Sequence, residues 1–191
     1  RGMNIFYYAL LTPLLGGVMS LVCSEKFKLK VVSFFTFISM ILCLMTSAKV
    51  LISGESLVQN LTILNGMFGA VKFVIDPLSA FFVSVISVMS FLGTVYANGY
   101  MKPYLEKGMN VSSHCLFLTM LISSMLGVVT IQNVMFFLIT WEIMSLSSFF
   151  LVIFEDNKKE VLNAGIKYLI YMHVSVIFII LAFVLLTIKS G

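Results

Sequence analysis

Glu142, Lys167 and His173 are three ionisable side chains set inside two otherwise apolar stretches of this 191-residue chain. Glu142 follows the single tryptophan, Trp141, near the middle of the run 133–152. A carboxylate at mid-bilayer costs about 2.5–3.5 kcal/mol on insertion scales, so an acid at that depth implies a partner or a task. A carboxylate whose surroundings alternate between apolar and cationic loads and releases a proton, and an imidazole nearby can relay it. Ser145 lies one turn after Glu142 on the same face, and Ser147 and Ser148 add to an unusually polar span. Such hydroxyls hydrogen-bond across helices or hold water. Each residue also has a plainer reading. Glu142 could make a fixed packing ion pair, Lys167 could snorkel to the interface, and His173 could be a satisfied core histidine.

Depth can be estimated from the helical rise. Glu142 lies about 16 Å from Ile153, and His173 about 18 Å from Val161 on the next, antiparallel span. The two are therefore expected at one level, with Lys167 about 9 Å in from the connection. Lys167 precedes His173 by six residues, a spacing that points them to different sides of one helix.

The elements that must carry these groups are read from composition. Hydrophobic residues make up 60% of the chain and charged residues 10%, with a mean hydropathy of +1.09. A soluble domain carries about 25% charged residues. Runs of about 20 apolar residues span a hydrocarbon core of about 30 Å. An all-α, polytopic transmembrane bundle is expected, as one domain over 1–191. Its six spans fall at about 4–23, 31–52, 77–96, 112–131, 133–152 and 161–188. The net charge of +4 does not point to nucleic acid, because the lysines are dispersed among short gaps. They set topology instead. Lys26, Lys28, Lys30, Lys102, Lys107, Lys158 and Lys159 fall on one side, against Arg1, Lys49, Lys72 and Lys189 on the other. That bias places the first group in the cytoplasm and the N-terminus outside.

The gap 53–76 reads as a short extracytoplasmic β-hairpin, Leu57 to Leu64 and Met67 to Ile75 around an Asn65-Gly66 turn. Asp76-Pro77 then opens a helix, Asp accepting from free backbone N–H groups and Pro needing none. Cys23, Cys43 and Cys115 have no metal or redox spacing and read as inert thiols. No phosphate loop, dinucleotide fingerprint, haem or cluster ligand set occurs, so no cofactor is expected on this chain.

Several stretches carry a resemblance. They are Ser124-Met125-Leu126-Gly127, Gln132-Asn133, Phe137-Leu138-Ile139-Thr140-Trp141-Glu142-Ile143-Met144-Ser145-Leu146-Ser147-Ser148-Phe149-Phe150-Leu151, and Ala164-Gly165-Ile166-Lys167-Tyr168-Leu169. With Asp76-Pro77-Leu78-Ser79-Ala80-Phe81-Phe82 and Tyr96-Ala97-Asn98-Gly99-Tyr100-Met101, they resemble the antiporter-like subunits in order and spacing. These are the proton-conducting membrane subunits of complex I, of membrane-bound nickel–iron hydrogenases and of multi-subunit cation/proton antiporters. The wording around Glu142 is most similar to the hydrogenase-4 and formate hydrogenlyase branch.

The resemblance implies that the chain is the N-terminal, six-helix part of a larger ion-translocating subunit of the prokaryotic cytoplasmic membrane. It implies other membrane subunits and a peripheral redox arm as partners, coupled to proton or sodium movement. In that family a fifth-helix glutamate works with a seventh-helix lysine. Glu142 matches the glutamate, Lys167 matches a recurrent basic position, and His173 falls where complex I members often carry arginine. Here Val174-Ser175 follow it instead of Gly-Asp, and Gln132 replaces a frequent aspartate. Two rivals stand beside this reading: a cation/proton antiporter subunit without redox partners, and a structural or assembly subunit.

Overall fold

The computed structural model describes residues 2–61, 71–106, 108–155 and 158–190. Among the described residues seven helices and one antiparallel strand pair follow in order: α1 (Gly2–Val22), α2 (Glu25–Ser53), β1 (Leu57–Leu61), β2 (Val71–Ile75), α3 (Pro77–Tyr100), α4 (Lys102–Glu106), α5 (Val111–Val128), α6 (Val134–Val152) and α7 (Lys159–Ser190). A 3-10 turn, Ile153–Glu155, closes α6. Among the described residues six helices are long and apolar enough to cross a membrane, all but the five-residue α4. The all-α transmembrane architecture expected from composition is therefore observed, with its six spans in the expected order.

Span boundaries differ from the sequence reading in an instructive way. The second helix opens at Glu25, so Lys28 and Lys30 ride on its first turns and not in a loop. Lys28 is also buried, its Nζ donating to Glu25 and to Ser112 of α5. One of the lysines assigned to topology thus ties α2 to α5. Likewise α3 continues to Tyr100, and the gap after it holds the unforeseen α4. Short amphipathic turns of this size carry too little hydrophobic period to stand out beside a 24-residue span.

Helix starts follow local capping chemistry. Asp76 accepts from the Ser79 N–H at 2.6 Å, as Asp76-Pro77 suggested. Asn110 accepts from Ser112 and Ser113 N–H, and Asn133 from Phe136 N–H at 3.2 Å. Gly54 ends α2 in a left-handed conformation, φ 69°, which side-chain-bearing residues rarely adopt.

The helices pack as neighbours α1–α2, α2–α3, α1–α5, α5–α6 and α6–α7. Between lipid-solvated helices there is little hydrophobic gain to exploit, so close approach and polar links carry association. Both occur here. A Cβ on Gly17 would sit 2.1 Å from Thr119 Oγ1, and one on Gly16 2.7 Å from Phe35 Cβ, so this glycine pair lets α1 close on α2 and α5. Ser39 Oγ donates to the Ala9 carbonyl at 2.6 Å, and Ser123 Oγ to the Leu10 carbonyl at 3.0 Å. Thr36 and Thr94 hydroxyls meet at 2.9 Å between α2 and α3.

The hairpin is antiparallel, with Leu57 opposite Ile75 and Leu61 opposite Val71. The Asn65-Gly66 turn lies outside the described residues. The free edge of β2 is taken by the α5–α6 turn: Val74 N–H donates to the Thr130 carbonyl at 2.8 Å, and Gln132 N–H to the Lys72 carbonyl at 2.9 Å. Phe73 also bridges to Ile131. Val71, Phe73 and Ile75 join Phe6, Cys43, Val83 and Leu126 in one buried cluster beneath this sheet.

Candidate functional site

The site sits on the outer pair, α6 and α7. Gly165 sets their approach, because a Cβ there would lie 2.2 Å from Ile153 Cγ2. One turn further along, Tyr168 OH and Ser148 Oγ meet at 2.7 Å. These contacts define the stripe of α7 that faces α6, and His173 lies at its margin.

From there His173 Nε2 comes within 4.0 Å of Glu142 Oε2. The equal depth inferred from helical rise is thus realised as a contact. Glu142 is 34% exposed and His173 53%, so the pair lies on the open flank of the bundle and not in its core. The imidazole is oriented by its own helix: Nδ1 lies 2.9 Å from the Leu169 carbonyl. A carbonyl only accepts, so Nδ1 carries the proton of that bond. A neutral ring then presents Nε2 to Glu142 as an acceptor, and a charged ring presents it as a donor. At 4.0 Å the two groups are beyond hydrogen-bond length. A rotamer adjustment of about 1 Å brings them into it.

The other two predicted residues are not part of this contact. Lys167 is exposed and projects from the face of α7 opposite the Gly165–Tyr168 stripe. It makes no hydrogen bond or ion pair among the described residues. Ser145 is buried, and its hydroxyl donates to the Trp141 carbonyl at 3.0 Å. It braces its own turn of α6, while Trp141 Nε1 is buried without a hydrogen-bond partner among the described residues.

Sequence reasoning missed Tyr168. A tyrosine one turn from Gly165 was a usable signal, since a small residue marks close helix approach and a phenol reaches across it. His114 is half-buried at the start of α5, with its ring edge-on to Phe154 at 5.2 Å. Cys43 and Cys115 are buried free thiols, and Cys23 is partly so. Among the described residues no group of His, Cys, Asp or Glu could hold a metal ion.

Two family models match the chain. Residues 65–111 match the N-terminus of chain 5 of NADH-ubiquinone oxidoreductase (complex I). Residues 131–191 match the transmembrane region of NADH:quinone oxidoreductase and Mrp antiporter subunits. Among curated relatives, Hydrogenase-4 component B of Escherichia coli (strain K12) is 37% identical over 116 residues, 61% of this chain and 17% of that protein. Na(+)/H(+) antiporter subunit A1 of Staphylococcus aureus (strain JH9) is 25% identical over 171 residues, 88% of this chain and 21% of that protein. A chain of the membrane-bound sulfane sulfur reductase, an archaeal respiratory membrane complex, shares the fold with a TM-score of 0.78 at 21% identity, covering 100% of this chain and 28% of that one. The chain therefore spans roughly a fifth of the length of the curated relatives it matches.

Proposed function

Because this chain belongs to the family of antiporter-like membrane subunits found in complex I, hydrogenase and Mrp-type complexes, we propose that it forms part of an ion path coupled to redox chemistry in partner subunits. In this reading residues 1–191 are one transmembrane domain and the N-terminal part of a larger subunit. A peripheral redox arm supplies the driving reaction and holds the redox cofactors, and protons or sodium ions move. The membrane is a prokaryotic cytoplasmic membrane, with the N-terminus and the hairpin outside.

The observation that carries the proposal is the 4.0 Å approach of Glu142 and His173 from successive spans. With Nδ1 held by Leu169, Nε2 is the only ring atom free to exchange a proton with the carboxylate. Shared between them, one proton joins the pair; a second charge arriving nearby shifts it to one side. Glu142 is the switching carboxylate and His173 the relay. Lys167, on the far face of α7, acts as a coupled cation through whatever group is brought against that face. Ser145 keeps the Glu142 turn in place.

The test uses the whole complex in inside-out membrane vesicles, reading ion uptake and electron transfer together. Glu142→Gln should lower ion uptake per electron at least tenfold, with electron transfer running or merely slowed. Unchanged uptake per electron would sink the assignment. The 88% span of similarity to an antiporter subunit keeps a second reading in view, exchange without a redox partner. Ion uptake that responds to an imposed sodium gradient, with no redox substrate present, would select it.

A further inference from the structure

A groove of about 840 Å³ runs between α2 and α3 at the lysine-bearing end of the bundle, away from Glu142. Its rim carries Lys30 and Lys102, both exposed, and no acidic residue lines it. Glu25, the acid in the first turn of α2, is taken by Lys28. Neither Lys30 nor Lys102 has an acidic partner among the described residues.

Below the rim the groove turns apolar. Phe34 and Phe37 follow Lys30 at helical spacing on one face of α2, Phe37 about 10 Å deeper. On α3, Phe91 lies about 12 Å deeper than Gly99. The Phe37 and Phe91 rings meet at 5.2 Å and close the inner end. Polar atoms on the floor are already used: Asn98 Nδ2 donates to Ser33 Oγ at 2.6 Å and to the Thr94 carbonyl at 2.9 Å, and Ser33 Oγ donates to the Thr94 carbonyl at 3.1 Å. What remains for an occupant is two ammonium groups, without an anionic partner among the described residues, above an aromatic wall, the Lys30 ammonium resting 5.7 Å from the centroid of the Phe27 ring. At Gly99 that wall is open, since a Cβ there would meet nothing within 4 Å.

We propose that this groove is a binding site for one anionic phospholipid, its phosphate between Lys30 and Lys102 and one acyl chain along Phe34, Phe37 and Phe91. The division of charge decides the occupant. A zwitterionic lipid would fill the apolar half but leave the cations uncompensated, and an apolar partner helix would do the same. Basic pockets between membrane helices favour anionic headgroups for this reason, and lysine stems reach the headgroup level while their methylenes stay in hydrocarbon.

The test takes the full-length protein in its purified complex, stripped of loosely held lipid. Native mass spectrometry follows retention of added phosphatidylglycerol against phosphatidylcholine. One phosphatidylglycerol should be held at least fivefold more tightly than phosphatidylcholine. The Lys30→Gln/Lys102→Gln protein should lose that preference, and Gly99→Leu should reduce retention of both lipids. Gly93→Leu, placed in open space outside the groove, should leave the preference intact. Equal retention of the two lipids by the unaltered protein overturns the proposal. So does a photo-crosslinker at position 34 that captures a protein segment and no lipid.

Discussion

At the scale of single residues, Glu142 stood out because an acid at mid-span is costly, and His173 could be paired with it because helical rise fixes depth. Azimuth was less legible. A six-residue spacing separates Lys167 from His173 around the helix, but which of the two faces α6 depends on where Gly165 lets α7 approach. That is a packing outcome, invisible to a one-helix reading. Likewise the orienting bond from His173 to Leu169 needs the rotamer, not the sequence. If the carboxylate and imidazole act as one proton-sharing unit, their losses cannot add. Glu142→Gln and His173→Gln, alone and together, should each depress ion uptake per electron, with the double variant little worse than the first single. Multiplicative losses in that cycle would mean two independent roles.

Between residue and bundle, the helix ends were the most readable elements. Asp76-Pro77 announced a cap, and the cap is formed. The Ser79 backbone N–H holds the Asp76 carboxyl below its ordinary range. A depressed folded-state value stabilises the fold above the unfolded carboxyl value near 4, and that stability is lost as pH falls through the lower, folded value. Asp76→Ala should cost about 1 kcal/mol at neutral pH. Asp76→Asn keeps an acceptor and should lose less, with a flatter dependence of thermal midpoint on pH below about 4. Thermal unfolding in detergent across pH 2.5–7, a range set by the carboxyl values, checks both.

Glycines at helix contacts were harder to rank from sequence, since Gly17, Gly93 and Gly165 look alike there. The structure separates them. Gly17 abuts the buried Thr119, whose hydroxyl is already bonded to the Cys115 and Leu116 carbonyls and cannot easily turn away. Gly17→Ala should destabilise by about 1–3 kcal/mol through overpacking, whereas Gly93→Ala, with open space around it, should be close to neutral. Equal midpoints for the two variants would contradict the packing of α1 on α5.

For the whole molecule, hydropathy was sufficient to count the spans and order them, because each is a long apolar run with charged gaps. It could not say which spans are neighbours. The chain of contacts from α3 through α2 and α1 to α5, α6 and α7 depends on small residues and hydroxyls placed at particular heights. The orientation proposed from lysines is open to direct measurement. In a cysteine-free background, Lys72→Cys on β2 should react with an impermeant thiol reagent applied to the outside of intact cells. Lys158→Cys should react only after permeabilisation. The reverse pattern would invert the topology and, with it, the direction assigned to the Glu142 path.

The sheet formed by β1, β2 and the α5–α6 turn joins parts of the chain that leave the translocation machinery far apart in time. Strand β2 precedes α3, yet its outer edge is completed by Thr130 and Gln132, which follow α5. Those two carbonyl and amide partners reach β2 only when α3 and α5 have both crossed, in opposite directions and in order. The sheet therefore reports threading: it closes when α3 and α5 cross in opposite directions, and stays open for a chain in which one of those two spans is skipped.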